Sequence, residues 1–512
     1  MDNPFQEVRV SSTYLKTIVI VGGGSAGWIS ACALSGALRG AVRVVLVESD
    51  EIGIVGVGEA SIPPMRNFNR FNGIDEQEFV RRTQATFKLG IEFAGWNQPG
   101  ENYIHPFGPY GRSIDLVPFH QYYLRLREAG EAPPLEDFSL AIRAARANRF
   151  FMPENRSGSI YEPYTFAYHF DAALYARFLR DVSEARGVER IEGRISDVTL
   201  NPEDGYVESL RLSDGRVVAG DLFVDCSGFH GVVIDKALRT PYEDWSAWLP
   251  CNRAWAVPTD RGDGPLLPYT RAIAHEAGWQ WRIPLQHRTG NGHVFCADYI
   301  TEERARDVLM GNLDTQTRAE PRLIKFTTGR RKLFWNRNCV SIGLASGFLE
   351  PLESTSIHLI QTAVSRLAGF LPTHRHDEVS RAEYNRLTAG EFDEVRDFLI
   401  LHYKLNHREG QPFWDYCRHM DIPDTLKRRM DLFRSRGRVH FRQEELFQEA
   451  SYLAVFTGQG LWPEAHDPLA DVLSLEDTRE RLGRMHSLIG DAMASWPDQA
   501  EFIRRTCPAY PL

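Results

Sequence analysis

Residues 18–27 read IVIVGGGSAG. The opening four are a short apolar run rich in β-branched side chains, the composition of a strand buried on both faces. Gly22, Gly24 and Gly27 then form G-x-G-x-x-G, and a helix is predicted from about Ser25 to Leu38. In that pattern the first glycine permits a tight turn, the second lets the backbone approach a pyrophosphate, and the third lets helix and strand pack closely. Ser25 and Ala26 open the helix, whose unpaired N–H groups suit a phosphate. Residues 42–48, VRVVLVE, form a second buried strand, which should lie parallel to the first. Its last residue, Glu48, can accept hydrogen bonds from ribose hydroxyls. The motif alone does not separate FAD from NAD. Its N-terminal position and the later strands LFVDCSG (222–228) and VSIGLAS (340–346) favour FAD. No second G-x-G-x-x-G stands between a strand and a helix, so a separate nicotinamide domain is not apparent.

Working outward, residues 75–96 read as an amphipathic helix with Phe79, Val80, Thr83, Phe87 and Ile91 on one side. Residues 188–226 read as short strands broken by Asn201-Pro202, Asp204-Gly205 and Asp214-Gly215. WQWRIPL (279–285) and HVFCADY (293–299) read as a hairpin whose turn is Thr289–Gly292. A helix is predicted from about Thr355 to Phe370, ended by Pro372, and the chain beyond 373 is mostly helical. The fold class is α/β: a Rossmann-like βαβ unit with additional sheet and a mostly helical C-terminal region. The expected division is 1–370 for the FAD-binding domain, with substrate-side insertions, and 371–512 for the helical region packed on it.

The 512 residues carry 59 Lys and Arg against 68 Asp and Glu, a formal charge of −9. No basic surplus exists to neutralise phosphates, which argues against a nucleic-acid partner. Lys427, Arg428 and Arg429 read as a solvated helix face. Met1 to Thr17 lacks the apolar core of a secretory signal, and no apolar run reaches the roughly 18 residues of a membrane helix. Seven scattered cysteines without a CxxC fit a reduced, cytoplasmic protein. Asn155-Arg156-Ser157 is a sequon without a secretory context. His374 and His376 have ligand-like spacing but no third ligand, so no metal is expected.

GGGSAG (22–27), WQWRIP (279–284), FLEPLEST (348–355) and ATFKLGIEF (85–93) together resemble the flavin-dependent halogenases, in particular the tryptophan halogenase family. The likeness runs from about 16 to 490. GGGSAG is common to many flavoproteins, whereas W-x-W-x-I-P and the FLEPLEST loop are specific. The resemblance implies a two-component enzyme: reduced FAD, supplied by a separate flavin reductase, reacts with O₂ and halide to give hypohalous acid. That acid passes through a tunnel to a lysine and halogenates an aromatic ring. A homodimer is compatible with this, and neither a membrane nor nucleic acid is required.

On this resemblance Lys88 is the lysine that positions the electrophile and Glu353 the carboxylate that assists at the ring. Glu350 is the lesser candidate. Gly22, Gly24, Ser25, Ala26, Gly27, Glu48, Ile195, Leu344 and Ile357 are assigned to the cofactor. Thr355 and Ser356, at a helix start, are assigned to chloride or bromide. His105, Phe107, Trp279, Trp281 and Ser354 are assigned to the substrate side. Trp279 and Trp281 alternate along a strand and so share a face. Two departures stand out. Ser356 replaces the glycine usual in the family, which raises a preference for bromide. FRQEELFQEASYLAVF (441–456) lacks the tyrosine- and acid-rich clamp for free tryptophan, so an indole-like ring is the expected substrate, with Glu445 or Glu449 standing in for part of the clamp. The rival reading, an FAD-dependent aromatic hydroxylase, usually wants an Asp after Gly343, where this chain has Leu344-Ala345-Ser346. A non-enzymatic flavin sensor would leave the lysine and glutamate segments unexplained.

Overall fold

The computed structural model describes residues 14–51, 58–152 and 159–511. The sequon at 155–157 and most of the N-terminal segment lie outside the described residues.

The βαβ unit forms as its sequence dictates. Strand Thr17–Val21 pairs in parallel with Arg43–Glu48, joined by the helix Ser25–Leu38. On its other side Thr17–Val21 pairs in parallel with Leu222–Asp225, which in turn pairs with Cys339–Ser341. Glu189–Glu192 extends the sheet beyond Arg43–Glu48, and Trp335–Asn336 closes the opposite edge antiparallel. Every side chain of Ile18 to Val21 is buried, as the unbroken apolar run requires.

A seven-stranded sheet makes the second layer, in the order 322–325, 253–260, 288–295, 278–284, 270–275, 90–94, 102–106. A small sheet of Gly58–Ala60, Ala167–Asp171 and Thr86–Lys88 lies beside it. C-terminal to the helix Ser356–Gly369 the chain is helical, dominated by Glu378–Lys404, whose buried face includes Phe392, Val395, Phe398 and Leu399. All seven cysteines are buried and unpaired. No helix among the described residues is long and apolar enough to cross a membrane.

Two local readings are corrected. Residues 75–96 are not one helix. Asp75 caps a short helix, Glu76–Arg82, by accepting from the Glu78 N–H at 2.8 Å, and Gln84 then takes a left-handed φ of 56° that ends it. Two strands follow, Thr86–Lys88 and Gly90–Ala94. Phe87, Leu89, Ile91 and Phe93 are all fully buried, a two-residue period in the segment expected to be helical. The 279–299 hairpin exists, but its turn lies at Leu285–His287, where the Leu285 N–H donates to the Arg288 carbonyl. Thr289 to Gly292 sits inside a strand. Its glycines answer a need for space: a Cβ at Gly292 would lie 2.1 Å from the Trp281 ring.

Candidate active site

The dinucleotide turn has the geometry its glycines promise. Gly22 adopts φ 105°, and a Cβ there would meet the Cys226 carbonyl at 2.6 Å. A Cβ at Gly27 would fall 1.9 Å from the Gly22 carbonyl, so no other residue lets helix and strand approach this closely. Gly24 has open space where its Cβ would be, and it begins the helix without any side-chain cap, leaving the first N–H groups for a ligand. Ser25 and Ala26 are half-buried at the same rim. Glu48 Oε1 accepts from Arg190 Nε at 2.5 Å, while Oε2 lies over Gly23. The Arg190 pair orients the carboxylate and leaves its second oxygen toward the turn. Gly343 packs against Ala26 and Ile360, which brings the half-buried Leu344 and the start of helix Ser356–Gly369 to the same turn. Ile357 is buried in the first turn of that helix. Ile195 opens the strand Ile195–Leu200, shortly after the Glu189–Glu192 strand that pairs with Glu48.

Lys88 ends a strand rather than riding on a helix, and its side chain is fully buried. Its Nζ donates to the Ser61 carbonyl at 3.1 Å and to Ser354 Oγ at 2.7 Å, and it lies 5.0 Å from the centre of the Phe107 ring. Burial lowers its ammonium to about 7, with the Glu353 carboxylate opposing that drop. The solvated, snorkelling lysine of an exposed helix is thereby excluded.

Ser354, the Lys88 partner, is in the left-handed region (φ 58°) between Glu353 and Thr355. Glu353 is fully buried. His105 Nδ1 donates to its Oε2 at 2.8 Å, and His402 Nε2 lies 2.7 Å from its Oε1. Burial alone would raise this carboxyl, but His105 and His402 outweigh it and hold it down at about 2. Thr355 stands at the start of helix Ser356–Gly369 without capping it, and its buried Oγ1 has no partner. Simple N-capping therefore does not account for the Ser354–Ser356 run. Ser356 is half-buried at the first helical position.

The remaining predicted residues divide. Phe107 joins the Lys88 contact, packed with Ile62, Ala167 and Leu446. His105 is bound to Glu353 and walled by Phe398 and Phe447, rings that stack on each other at 3.8 Å. Trp279 and Trp281 do share a face, with ring centres 6.2 Å apart. Trp279 Nε1 donates to Glu350 Oε2 at 2.9 Å, and the Tyr403 hydroxyl donates to the same oxygen at 2.6 Å. Burial pushes Glu350 up to about 7, and its hydrogen bonds tie it to the tryptophan strand and to Tyr403.

Glu445 is tied up by arginines, whereas Glu449 is half-buried with one histidine nearby. Arg429 donates to both Glu445 oxygens at 2.9 and 3.2 Å, and Arg442 donates to one of them at 3.3 Å. Arg429 accordingly turns inward over the Tyr452 ring, unlike its exposed neighbours Lys427 and Arg428. Glu449 lies 3.4 Å from His120. His376 bonds the Tyr206 hydroxyl, and no metal-binding cluster occurs among the described residues.

Sequence reasoning missed His402, Ser61 and the Phe398–Phe447 wall. His402 carried a signal: a histidine inside the apolar run FLILHY of a long helix is buried, and a buried histidine needs a partner.

A nucleotide-type glycine turn, a buried lysine and a histidine-bound glutamate thus stand in one core, the lysine and glutamate meeting in the loop that precedes the helix Ser356–Gly369. Residues 17–474 match the family described as tryptophan halogenase, and the chain belongs to that family of flavin-dependent halogenases, which use FAD and halide. The chain is 36% identical to tryptophan 6-halogenase ThaL of Streptomyces albogriseolus, over 88% of this chain and 90% of that one. Its fold superposes on a flavin-dependent halogenase from Xanthomonas campestris with TM-score 0.94 at 45% identity, covering 97% of this chain and 99% of the other. The flavin-dependent halogenase BrvH of Brevundimonas sp. BAL3 gives 0.93 at 45% identity, over 96% and 99%.

Proposed function

We propose that this enzyme halogenates an indole-like aromatic ring, with Lys88 handling the electrophile and Glu353 assisting at the ring. The observation that carries the reading is the burial of Lys88, hydrogen-bonded to Ser354 in the loop that also bears Glu353 and Thr355. The open, uncapped rim at Gly24 fits a dinucleotide pyrophosphate, and Gly22, Gly24, Ser25, Ala26, Gly27, Glu48, Ile195, Leu344 and Ile357 would hold the FAD. Reduced FAD, supplied by a separate reductase, furnishes hypohalous acid from O₂ and halide.

The chain's own residues do the rest. Thr355 Oγ1 and the N–H groups at the helix start offer donors to a halide ion. A lysine lowered to about 7 exists in both protonation states near neutral pH, so it can donate a hydrogen bond to hypohalous acid or accept the halogen. Either way the electrophile is held against Phe107 rather than released. Glu353, kept ionised, stabilises positive charge on the attacked ring and can take its proton. Trp279 and Trp281, paired on one face of their strand, would keep the ring from direct contact with the cofactor.

The relatives named for tryptophan suggest a related ring, but free tryptophan needs partners for an ammonium and a carboxylate. Glu445 is spent on Arg429 and Arg442, which favours an indole without the amino-acid tail. The proposal extends to a preference for bromide over chloride at the helix start where Ser356 replaces the family's usual glycine. The test combines FAD, a flavin reductase, NADH and bromide with indole and with tryptophan, read by mass spectrometry. Brominated indole should form, more slowly with chloride, and Lys88→Ala should abolish it while FAD still binds. Hydroxylated product instead would support the monooxygenase reading. Efficient halogenation of tryptophan with indole untouched would overturn the substrate assignment.

A further inference from the structure

His402 projects from the helix Glu378–Lys404 into the core and is fully buried. Its Nδ1 lies 2.9 Å from the Phe398 carbonyl, four residues earlier on the same helix. A carbonyl only accepts, so Nδ1 carries hydrogen. Its Nε2 lies 2.7 Å from Glu353 Oε1. Two bare lone pairs repel at that distance, so a second hydrogen stands between them. With Nδ1 already protonated, that hydrogen either makes His402 an imidazolium facing a carboxylate or sits on Glu353 facing a neutral ring. Glu353 also accepts from His105 through its other oxygen, and two histidines on one carboxyl favour its ionised form, which leaves the second hydrogen on His402.

We propose that His402 is a positioning residue for Glu353: a buried imidazolium, its protonation set by the Phe398 carbonyl, that keeps the carboxylate ionised and fixed beside Lys88. The proposal rests on the reading of Glu353 as the group that assists at the ring. A fully buried carboxylate without a cationic partner takes up a proton and loses both its field and its basicity. The titratable groups acting on Glu353 are Lys88 on Thr86–Lys88, Tyr103 and His105 on Asn102–Pro106, and His402 on the long helix. Tyr103 is held neutral by burial. Lys88 loses its charge near neutrality. His105 can bond Glu353 as a neutral Nδ1–H donor, whereas the protonated Nδ1 of His402 forces the charged form on a ring that donates from Nε2.

Removing His402 raises the Glu353 pKa. A reaction that needs the carboxylate is then lost as pH falls through that raised value, so the acid limb of the activity moves toward neutral. The test compares wild type, His402→Gln, which keeps a neutral donor, and His402→Phe, which keeps neither donor nor charge. Ring halogenation is measured over about pH 5 to 9, alongside bound FAD and oxidant released to a small scavenger of hypohalous acid. Loss of His402 should lower kcat about 100-fold in His402→Phe. The loss should be smaller in His402→Gln, and the acid limb should rise in both. FAD binding and scavenged oxidant should persist. Unchanged kcat and pH profile, or equal losses in both variants with no shift of the acid limb, would overturn the proposal. Should the Phe variant fail to fold, the shift in His402→Gln decides it. A wild type that yields oxidant to the scavenger but halogenates no ring under any condition would instead overturn the reading of Glu353 itself.

Discussion

Replacing Lys88 by methionine removes a charge but keeps an unbranched chain of similar reach, and its effect on stability can be worked from the site. Burial lowers the ammonium from 10.5 to about 7. At roughly 1.4 kcal/mol per pKa unit, holding it charged in the fold costs about 5 kcal/mol. Because the folded-state pKa lies below the unfolded one, this cost is present in full below about pH 7. It is relieved as pH rises from there toward 10.5, while the unfolded chain stays protonated. Against it stand the hydrogen bonds to the Ser61 carbonyl and Ser354 Oγ. Leaving those two acceptors unmet costs about 1 to 3 kcal/mol each. Lys88→Met should therefore lie within about 3 kcal/mol of wild type at about pH 6. Between about pH 7 and 9 wild type should gain on it by about 3 kcal/mol. The assay is denaturant unfolding of both proteins without flavin at about pH 6, 7.5 and 9, with ring halogenation measured in parallel and expected to vanish. A stability difference that does not change with pH would refute the buried, perturbed ammonium. Undiminished halogenation by the methionine variant would refute its role in the chemistry.

Gly27→Ala should lose FAD and much of its stability, because the new Cβ would fall on the Gly22 carbonyl at 1.9 Å, and a flavin absorbance titration reads this directly. Glu350→Gln should preserve activity and stabilise the fold above about pH 7. The raised Glu350 pKa is a cost that appears as pH rises from 4.5 to about 7, so the gain should fade toward acid, as unfolding midpoints at two pH values would reveal. Glu445→Ala should destabilise by about 1 to 3 kcal/mol, since Arg429 is left without its partner, yet turn over indole at the wild-type rate. Loss of indole turnover at unchanged stability would mean that Glu445 touches substrate.

Some of the molecule was legible because the relevant signals are local. Gly22, Gly24 and Gly27 between two β-branched runs specify a turn through sterics alone, and the helix Ser25–Leu38 lies where it was expected. Where two local signals competed, the reading failed. Residues 87–93 carry both a helical and an alternating spacing of apolar side chains, and the left-handed Gln84 together with pairing to Ala167–Asp171 decided for strands. Asn291-Gly292 is a strong turn signal, but room for the Trp281 ring was the reason for the glycine.

By itself, then, the sequence determined the dinucleotide turn and the parallel strands around it, and it singled out Lys88 and Glu353 as candidates, because backbone sterics and short motifs are encoded within a few residues. Only the tertiary structure decided the environment of those two groups. It placed His105 and His402, from a strand and a helix far apart in the chain, on the two oxygens of Glu353. It also sealed Lys88 from water and tied Arg429 to Glu445. Burial and charge pairing depend on which distant segments meet, and that is set by the packing of the whole core.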